Sequence, residues 1–173
     1  GLTPLEGLMM GTRTGDIDPA VVFHLQRVAG MSVDEVDTLF NKKSGMKGMT
    51  GESDMRSVWD MIHNDDDPEA QQRARTAMDV YINRLLKYVG SYTAELGGLD
   101  VITFTAGIGE NDAAVRRELA EALAPFGVKI DVEANKVRSG EPRVVSTADS
   151  AVTIYVFPTN EELAIARQAL TFA

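Results

Sequence analysis

The sequence contains no cysteine, only two histidines and a single tryptophan, and aromatic residues make up 6% of its 173 positions. The absence of cysteine excludes a disulfide framework, a thiolate zinc site and a cysteine nucleophile. Polar residues interrupt every apolar run, so we expect no membrane-spanning segment. No charged and then apolar leader precedes the first predicted helix. These absences favour a cytoplasmic protein that does not associate with membranes.

An excess of basic residues is also missing. The chain has 17 lysines and arginines against 26 aspartates and glutamates, and its net charge is −9. Because nucleic-acid binding requires clustered cations, we expect no nucleic-acid partner, although a local basic pocket for a small phosphate ligand stays open. Apolar residues make up 44% of the chain, which is enough for a folded core. Gly1 is not a natural start residue, so we expect the sequence to begin inside a longer protein.

The first hundred residues carry helical signals. Ser32 and Glu35 form a capping-box pattern, and Ser53 is a candidate N-cap for the next apolar stripe. A long helical period runs from about Pro68 to Leu96, where Gly97-Gly98 ends it. The same patterns predict a short helix over 2–10, a helix beginning at Asp18-Pro19, a glycine-rich loop over 44–51 and a surface connection over 63–68. Three aspartates in that connection lack the spacing of a calcium loop, so we interpret them as solvated.

Beyond Gly98 the pattern changes to short apolar runs alternating with amphipathic stretches. Strands are predicted over 101–104, 128–130, 143–145 and 152–157, and helices over 112–124 and from Thr159 onward, with Glu162 completing a capping box. This order predicts an α/β fold in which a mixed sheet is flanked by helices. The helical part is predicted over about 1–98 and the sheet part over about 99–173.

The stretch TAGIGEN at 105–111 lies between a predicted buried strand and a predicted helix. Glycines allow a ligand to approach the backbone closely, and free helix N–H groups favour anions, so a nucleotide cleft is one interpretation. The other interpretation is a tight strand-to-helix turn with Asn111 as N-cap. Short glycine patterns are weak signals, and this segment alone leaves both interpretations open.

Three further groups of polar residues could carry chemistry. Arg13 stands on a short loop between Gly11 and Gly15, where a guanidinium could clamp a carboxylate or a phosphoryl group, or form a surface turn paired with Asp16. Asp54 could accept hydrogen bonds from a ribose with Arg56 near the base, or it could only complement the helix dipole. Glu161 has no evident structural role and is a candidate ligand for hydrated magnesium.

Five segments together resemble the acetate kinase family, in family order and across nearly the whole chain. They are GLTPLEGLMMGTRTGDIDP at 1–19, NKKSG at 41–45, ESDMR at 52–56, FTAGIGEN at 104–111 and PTNEEL at 158–163. The resemblance implies the actin-like ATPase (ribonuclease H-like) fold. It also implies reversible, magnesium-dependent phosphoryl transfer between ATP and acetate, which gives acetyl phosphate and ADP.

Roles carried over from the family fall on matching positions of this sequence. Arg13 matches the arginine that stabilises the phosphoryl group in the transition state, and Glu161 matches a magnesium-binding glutamate. Two segments match nucleotide-binding segments, namely Asp54, Met55 and Arg56, and Gly107, Ile108, Gly109, Glu110 and Asn111. Because the acetate oxygen attacks the γ-phosphorus directly, this chemistry needs alignment and charge neutralisation rather than a protein nucleophile.

The resemblance also implies an N-terminal domain that precedes Gly1 and carries a catalytic His and Asp, acetate-side residues and a phosphate-binding glycine segment. His24 and His63 do not match that catalytic histidine, because both lie outside the family-like segments. The resemblance therefore implies a C-terminal portion that is inactive alone, with ATP or ADP, a short carboxylic acid and the N-terminal domain as partners, and a homodimer that pairs near the 68–96 helix. Alternatives are a propionate or butyrate kinase, or a non-catalytic nucleotide-binding or dimerisation module.

Overall fold

The computed structural model, which describes residues 1–172, contains α-helices and a small three-stranded sheet. The helices are α1 (Ala20–Val28), α2 (Val33–Lys42), α3 (Gly45–Thr50), α4 (Met55–Asn64), α5 (Pro68–Leu96), α6 (Ala106–Asn111), α7 (Ala113–Ala122), α8 (Val132–Lys136) and α9 (Glu161–Ala169). The strands are β1 (Val101–Phe104), β2 (Arg143–Val144) and β3 (Thr153–Val156), and short 3₁₀ turns cover Ala124–Phe126 and Leu170–Phe172. The α/β class and the helical first hundred residues are confirmed.

The chain divides into two compact units, and the boundary between them along the sequence falls within α5. The first unit is Gly1–Tyr88 and the second begins at Val89. The division predicted near residue 98 marks the end of the helical pattern. The boundary between the two units lies ten residues earlier, after Tyr88, because α5 contributes residues to both units.

The core of the first unit is built on the N-terminal half of α5. Its buried apolar residues on that helix are Ala70, Ala74, Ala77, Met78, Tyr81 and Ile82, and those from elsewhere in the unit are Met9, Val36, Phe40, Met46 and Val58. Small residues at 70, 74 and 77 allow neighbouring side chains to approach the helix closely. Towards its C-terminal end the predicted stripe opens to solvent, since Tyr92 is 55% and Leu96 77% exposed.

Helices α2, α4 and α5 of the first unit begin next to side chains that accept hydrogen bonds from free backbone N–H groups. Ser32 and Glu35 form the predicted capping box at α2. The prediction of Ser53 as a cap was wrong, because Asp54 accepts the Arg56 N–H at 2.8 Å and is the N-cap of α4. Asp67 accepts the Glu69 N–H at the start of α5, so the aspartate run is a helix-capping connection reduced to residues 65–67.

Two segments near the N-terminus differ from the sequence patterns. Residues 2–10 form turns and bends instead of a helix, and the Gly7 carbonyl accepts the Asp16 N–H at 2.9 Å. Residues 45–50 form α3 instead of a loop, although they include two glycines. The N–H groups of Met46 and Lys47 donate to carbonyls near residue 10. These contacts between distant parts of the chain outweigh the low helix propensity of glycine.

The sheet of the second unit has the order β1-β3-β2 and is mixed, as predicted. Strand β1 pairs in parallel with β3, with Val101 opposite Thr153 and Phe104 opposite Val156. Strand β2 is antiparallel to β3, with Arg143 opposite Val156. The buried apolar residues of this unit are Val115, Leu119, Ala120, Leu123, Val128, Val145, Val152, Ile154 and Val156. The predicted strand at 128–130 is reduced to a single bridge from Ile130 to Ser146.

Two predicted caps in the second unit were wrong. Asp112, not Asn111, is the N-cap of α7, and Asn111 closes α6. Asn160, not Thr159, is the N-cap of α9, where its side chain accepts the Leu163 N–H at 2.9 Å. In both places a neighbouring side chain was equally suited to cap, and the backbone path selected between them. None of the helices within residues 1–172 is both long enough and apolar enough to cross a membrane.

Candidate functional site

The loop that carries Arg13 is fixed by backbone hydrogen bonds. Its carbonyl groups accept N–H groups from the start of α3 and the residue before it, at 2.9 to 3.0 Å. The donor and acceptor pairs are Ser44 to Thr12, Met46 to Met10 and Lys47 to Gly11. Within the loop, the Met10 N–H donates to the Arg13 carbonyl at 3.1 Å. These bonds give the backbone that carries Arg13 one defined path.

Close packing of Gly45 reinforces that path. Gly45 has φ +63°, and a Cβ atom added there would lie 2.0 Å from the Met10 carbonyl oxygen and 2.7 Å from that of Arg13. A side chain at this position is therefore disfavoured both by a steric clash and by the left-handed backbone. Glycine at position 45 allows α3 to begin directly against the arginine loop.

Asp16 anchors the far end of the same loop to α5. Its carboxylate accepts the Gly7 N–H at 2.9 Å and the Tyr88 hydroxyl at 2.8 Å, and Arg84 lies 3.5 Å away. The Tyr88 hydrogen bond lowers the pKa of Asp16, with smaller contributions from Gly7 and Arg84. Asp16 is therefore engaged with Tyr88 and Arg84, and the alternative of a surface turn in which it pairs with Arg13 was wrong.

The Arg13 side chain itself is half-buried. Among residues 1–172, no hydrogen bond or ion pair engages its guanidinium. A fixed backbone therefore presents a cation whose donors remain available for an anionic ligand. A guanidinium in this state is suited to a carboxylate or a phosphoryl group.

Asp54, Met55 and Arg56 lie at the start of α4, beside the arginine loop. A Cβ atom on Gly11 would be 2.8 Å from the Ser53 carbonyl oxygen, so the two segments are in close contact. Asp54 accepts hydrogen bonds from the Arg56 side chain through both carboxylate oxygens, which lowers the Asp54 pKa to about 2. Met55 is half-buried, whereas the Arg56 side chain is 91% exposed. A ribose at Asp54 would therefore compete with Arg56 for the carboxylate.

Residues 105–111 belong to the second unit, where they follow β1. They form the short helix α6 rather than an open glycine loop. The unusual backbone lies at Ala106, with φ +59°, and not at either glycine. Ile108 is 38% exposed, and the Asn111 amide donates to the Gly107 carbonyl at 2.9 Å. This bond leaves the Asn111 side-chain oxygen available as an acceptor.

The two glycines of α6 have different surroundings. A Cβ atom on Gly109 would lie 3.2 Å from the carbonyl carbon of Phe104, so Gly109 packs tightly against the end of β1. A Cβ atom on Gly107 would meet nothing within 4 Å, and Gly107 has no positive φ. Close packing against β1 therefore explains why position 109 is a glycine. Nothing within the described residues requires a glycine at position 107.

A buried arginine holds the end of α6. Arg116 is 2% exposed, and its guanidinium donates to the carbonyls of Gly109 and Glu110 at 2.8 and 2.9 Å. The same guanidinium donates to the side-chain and backbone oxygens of buried Asn135, each at 2.7 Å. Burial lowers the pKa of Arg116, and the nearby Arg143 acts in the same direction. Arg116 and Asn135 thus fix the geometry of the segment.

Sequence reasoning did not identify Arg116 or Asn135 as part of this site. A signal was present for Arg116, because it lies three and seven residues before two inward leucines of the predicted α7 stripe. An arginine on an apolar stripe indicates a buried polar partner. Nothing in the sequence pairs Asn135 with it, since the two residues are nineteen positions apart.

Glu110 joins α6 to the segment before α9. Its carboxylate accepts the Thr159 N–H at 2.8 Å and the Thr159 hydroxyl at 2.9 Å, and these bonds lower the Glu110 pKa. Thr159 precedes Glu161 by two residues, so the structure brings the start of α9 close to α6. Arg13 and Asp54–Arg56 lie in the first unit, and Gly107–Asn111 and Glu161 lie in the second.

Glu161 is exposed in the first turn of α9. No hydrogen bond or ion pair engages its carboxylate within the described part of the chain. The same residues include no group of three or more His, Cys, Asp or Glu side chains able to hold a metal ion together. Mg²⁺ is commonly held by one or two carboxylates, several waters and substrate phosphates, so a single available glutamate fits that mode of binding.

The fold is similar to those of solved acetate and propionate kinases. The crystal structure of Porphyromonas gingivalis acetate kinase is 42% identical, superposes with a TM-score of 0.88 and is matched over 99% of this chain and 42% of its own. A propionate kinase from Francisella tularensis is 39% identical with a TM-score of 0.85, and the match covers 96% of this chain and 41% of that one. These similarities confirm the fold expected from the resemblance.

A family model for the acetokinase family matches residues 1–167, and the chain belongs to that family. It is 53% identical over 173 residues to a protein named acetate kinase from Corynebacterium aurimucosum. The alignment covers all of this chain and 41% of that relative, so the chain spans about two fifths of the length of the curated proteins it matches.

Proposed function

We propose that this chain takes part in reversible phosphoryl transfer between ATP and acetate. In the forward direction an acetate oxygen forms a bond to the γ-phosphorus, the bond from that phosphorus to the β–γ bridging oxygen breaks, and ADP leaves. Membership of the acetokinase family supports this reaction. The similarity to a propionate kinase keeps propionate as an alternative acid, and butyrate is a further family alternative.

The observation that carries the nucleotide part of the proposal is the open space at Gly107. Glycine is less favourable than alanine within a helix by roughly 0.5–1 kcal/mol. The fold would accommodate a Cβ atom at position 107, so glycine has no packing reason there. Close approach of a ligand to the backbone is a physical reason for its presence. We assign Gly107, Ile108, Gly109, Glu110 and Asn111 to nucleotide binding on this basis.

The remaining site residues take the roles that the family implies. Arg13 neutralises charge on the phosphoryl group during transfer, since its guanidinium has no internal partner among the described residues. Asp54, Met55 and Arg56 contribute to the adenosine side. Glu161 would hold Mg²⁺, which when bound neutralises charge on the phosphate oxygens. The carboxylate of Glu110 has a positioning role through Thr159, so its contribution to the nucleotide comes from the backbone.

Further features of the whole protein follow from family membership as proposals. We propose an additional N-terminal domain that supplies the acid-binding side, a homodimer with the 68–96 helix near its interface, and a cytoplasmic location. We also propose that residues 1–173 alone produce no acetyl phosphate from ATP, acetate and Mg²⁺, because this chemistry rests on positioning both substrates. The alternative is a non-catalytic nucleotide-binding or dimerisation module.

The test is calorimetric titration of the 173-residue chain with ADP and Mg²⁺, using Gly107→Ala as the variant. We expect Gly107→Ala to remain folded, with equal or slightly higher thermal stability, and to bind ADP at least about tenfold more weakly. Gly90→Ala is the matched control, since its Cβ atom also meets nothing within 4 Å. Unchanged ADP affinity in folded Gly107→Ala would contradict the assignment of this helix to the nucleotide.

A further inference from the structure

The residues on both sides of Arg13 are hydrogen-bonded to the C-terminal end of α2. The Thr12 hydroxyl donates to the Asn41 carbonyl at 2.9 Å, and the Thr14 N–H donates to the Phe40 carbonyl at 3.1 Å. Both carbonyls lie in the last turn of α2, and the last four carbonyl groups of a helix have no partner within it. The end of α2 therefore holds the arginine loop in addition to the bonds from the start of α3.

The two threonines that flank Arg13 use their hydroxyl groups differently. The half-buried Thr12 hydroxyl reaches across 29 positions of the sequence to α2, whereas the Thr14 hydroxyl donates only to the carbonyl of the next residue, at 3.0 Å. The acceptor of the Thr12 bond is the backbone of Asn41, because the Asn41 side-chain amide donates to Asp37. The Thr12 hydroxyl thus adds one side-chain bond to the backbone bonds that hold the loop.

The placement of the Arg13 guanidinium depends on this backbone. Among residues 1–172, no hydrogen bond or ion pair engages the guanidinium, so its position follows from its own rotamer and from the peptide that carries it. Phosphoryl transfer depends on alignment and charge neutralisation, and a misplacement of about 1 Å can lower a rate roughly 100-fold. The bond made by the residue immediately before Arg13 is therefore a point at which the fold can control the rate.

We propose that Thr12 is a positioning residue for phosphoryl transfer and that it acts through Arg13. Its hydroxyl bond to the Asn41 carbonyl fixes the peptide that carries Arg13, so the guanidinium is already in place when charge develops on the phosphoryl group. The inference rests on the proposed function, because it presupposes the role of Arg13. Thr12 itself touches no substrate, and its contribution is to the rate of transfer and not to nucleotide affinity.

The experiment measures kcat, KM and ADP affinity in a polypeptide of the relatives' full length that contains these residues. Thr12→Val keeps the β-branched shape and removes the hydroxyl, and we expect kcat to fall by about 10- to 100-fold with unchanged ADP affinity. Thr12→Ser keeps the hydroxyl and should retain most of the activity. Thr76→Val is the matched control, since it also removes a 2.9 Å hydroxyl bond to a backbone carbonyl, that of Gln72 on α5, and should leave kcat unchanged.

A double-variant cycle separates a positioning role from a structural one. If Thr12 acts through Arg13, adding Thr12→Val to Arg13→Ala should lower kcat no further. A structural role would lower kcat by the same factor with and without Arg13, and that result would overturn the inference. Circular dichroism establishes that each variant is folded. Thr12→Ala repeats the measurement without placing a methyl group against the Asn41 carbonyl, so the test does not depend on the folding of Thr12→Val.

The outcomes separate this inference from the function on which it rests. A large loss of kcat in Arg13→Ala together with normal kcat in folded Thr12→Val or Thr12→Ala overturns the positioning role alone. Equal losses in Thr12→Ser and Thr12→Val also overturn it, because the hydroxyl would then not be the cause. Normal kcat in Arg13→Ala contradicts both the proposed role of Arg13 and the inference built on it.

Discussion

The two units each hold a candidate site segment in place, but they do so by different means. In the first unit, the loop around Arg13 is fixed by backbone hydrogen bonds to the start of α3 and by the absence of a side chain at Gly45. In the second unit, α6 is fixed by side chains, with Arg116 donating to its last carbonyls and Glu110 accepting from Thr159. We therefore call the loop at residues 10–13 backbone-locked and the helix α6 side-chain-locked.

This difference has consequences for what each segment can tolerate. A backbone-locked loop depends on glycine at one crowded position and leaves the half-buried Arg13 side chain free to act on a ligand. A side-chain-locked helix depends on a buried polar network, which is destabilising when only partly satisfied. The same helix leaves its glycine backbone open at position 107. The first arrangement suits a catalytic side chain, and the second suits binding through the backbone.

The largest expected effect is on turnover. In a polypeptide of the relatives' full length that contains these residues, Arg13→Ala should lower kcat by roughly 10³–10⁵, because the guanidinium acts mainly on the transition state. ADP affinity should change little, in contrast to Gly107→Ala. Steady-state kinetics with saturating acetate and ATP measure this, with Arg27→Ala on α1 as control. Normal kcat with only a raised KM would contradict the role of Arg13.

The next effect tests the backbone-locked loop directly. Gly45→Ala should destabilise the chain by about 2–5 kcal/mol, combining the left-handed backbone with a clash against the Met10 carbonyl. Gly51→Ala separates the two causes, since Gly51 has φ +89° but a Cβ atom there meets nothing within 4 Å. Urea unfolding of the three proteins gives the comparison. Equal losses in both variants would show that backbone strain alone, and not the close approach, fixes the loop.

The side-chain-locked helix is tested by Arg116→Met. Removal of the guanidinium leaves the carbonyl oxygens of Gly109, Glu110 and Asn135 without their hydrogen-bond donor. This loss should lower the free energy of unfolding by about 2–4 kcal/mol. The neighbouring Arg117→Met should change stability little, because the Arg117 ion pair with Glu121 is exposed. ADP affinity should fall in the folded Arg116→Met chain as α6 loosens. Equal stability of the two variants would contradict the network.

The smallest expected effect concerns the Asp16 anchor. Tyr88→Phe should destabilise the chain by about 1–2 kcal/mol at pH 7, because it removes a hydrogen bond to a carboxylate. The Asp16 pKa is lowered in the folded state from 3.8, so the contribution is present above about pH 4 and is lost as the pH falls through the folded pKa.

The destabilisation by Tyr88→Phe should therefore shrink between pH 7 and pH 3, as measured by urea unfolding. Tyr155→Phe is the control, since no hydrogen bond engages its hydroxyl within the described residues. A difference between Tyr88→Phe and the unsubstituted chain that is the same at both pH values would exclude the ionised Asp16 as the partner.

Periodicity and end signals in the sequence determined most of the secondary structure. The 29-residue α5 begins at Pro68 and ends before Gly97-Gly98, as its apolar stripe and these residues indicate. The Ser32–Glu35 box and strand β1 also follow from local patterns. Such features depend on residues within one or two turns of each other, and local sequence contains that information. The five family-like segments likewise identified the family before any contact was known.

Tertiary structure alone decided which of several adequate local choices was used. It made residues 45–50 a helix, because their N–H groups bind carbonyls some thirty-six residues earlier. It moved the N-caps to Asp54 and Asp112, and it placed the left-handed backbone at Ala106 instead of a glycine. It also joined Arg116 to Asn135 and Glu110 to Thr159. Each of these depends on contacts between distant segments, which no local pattern encodes.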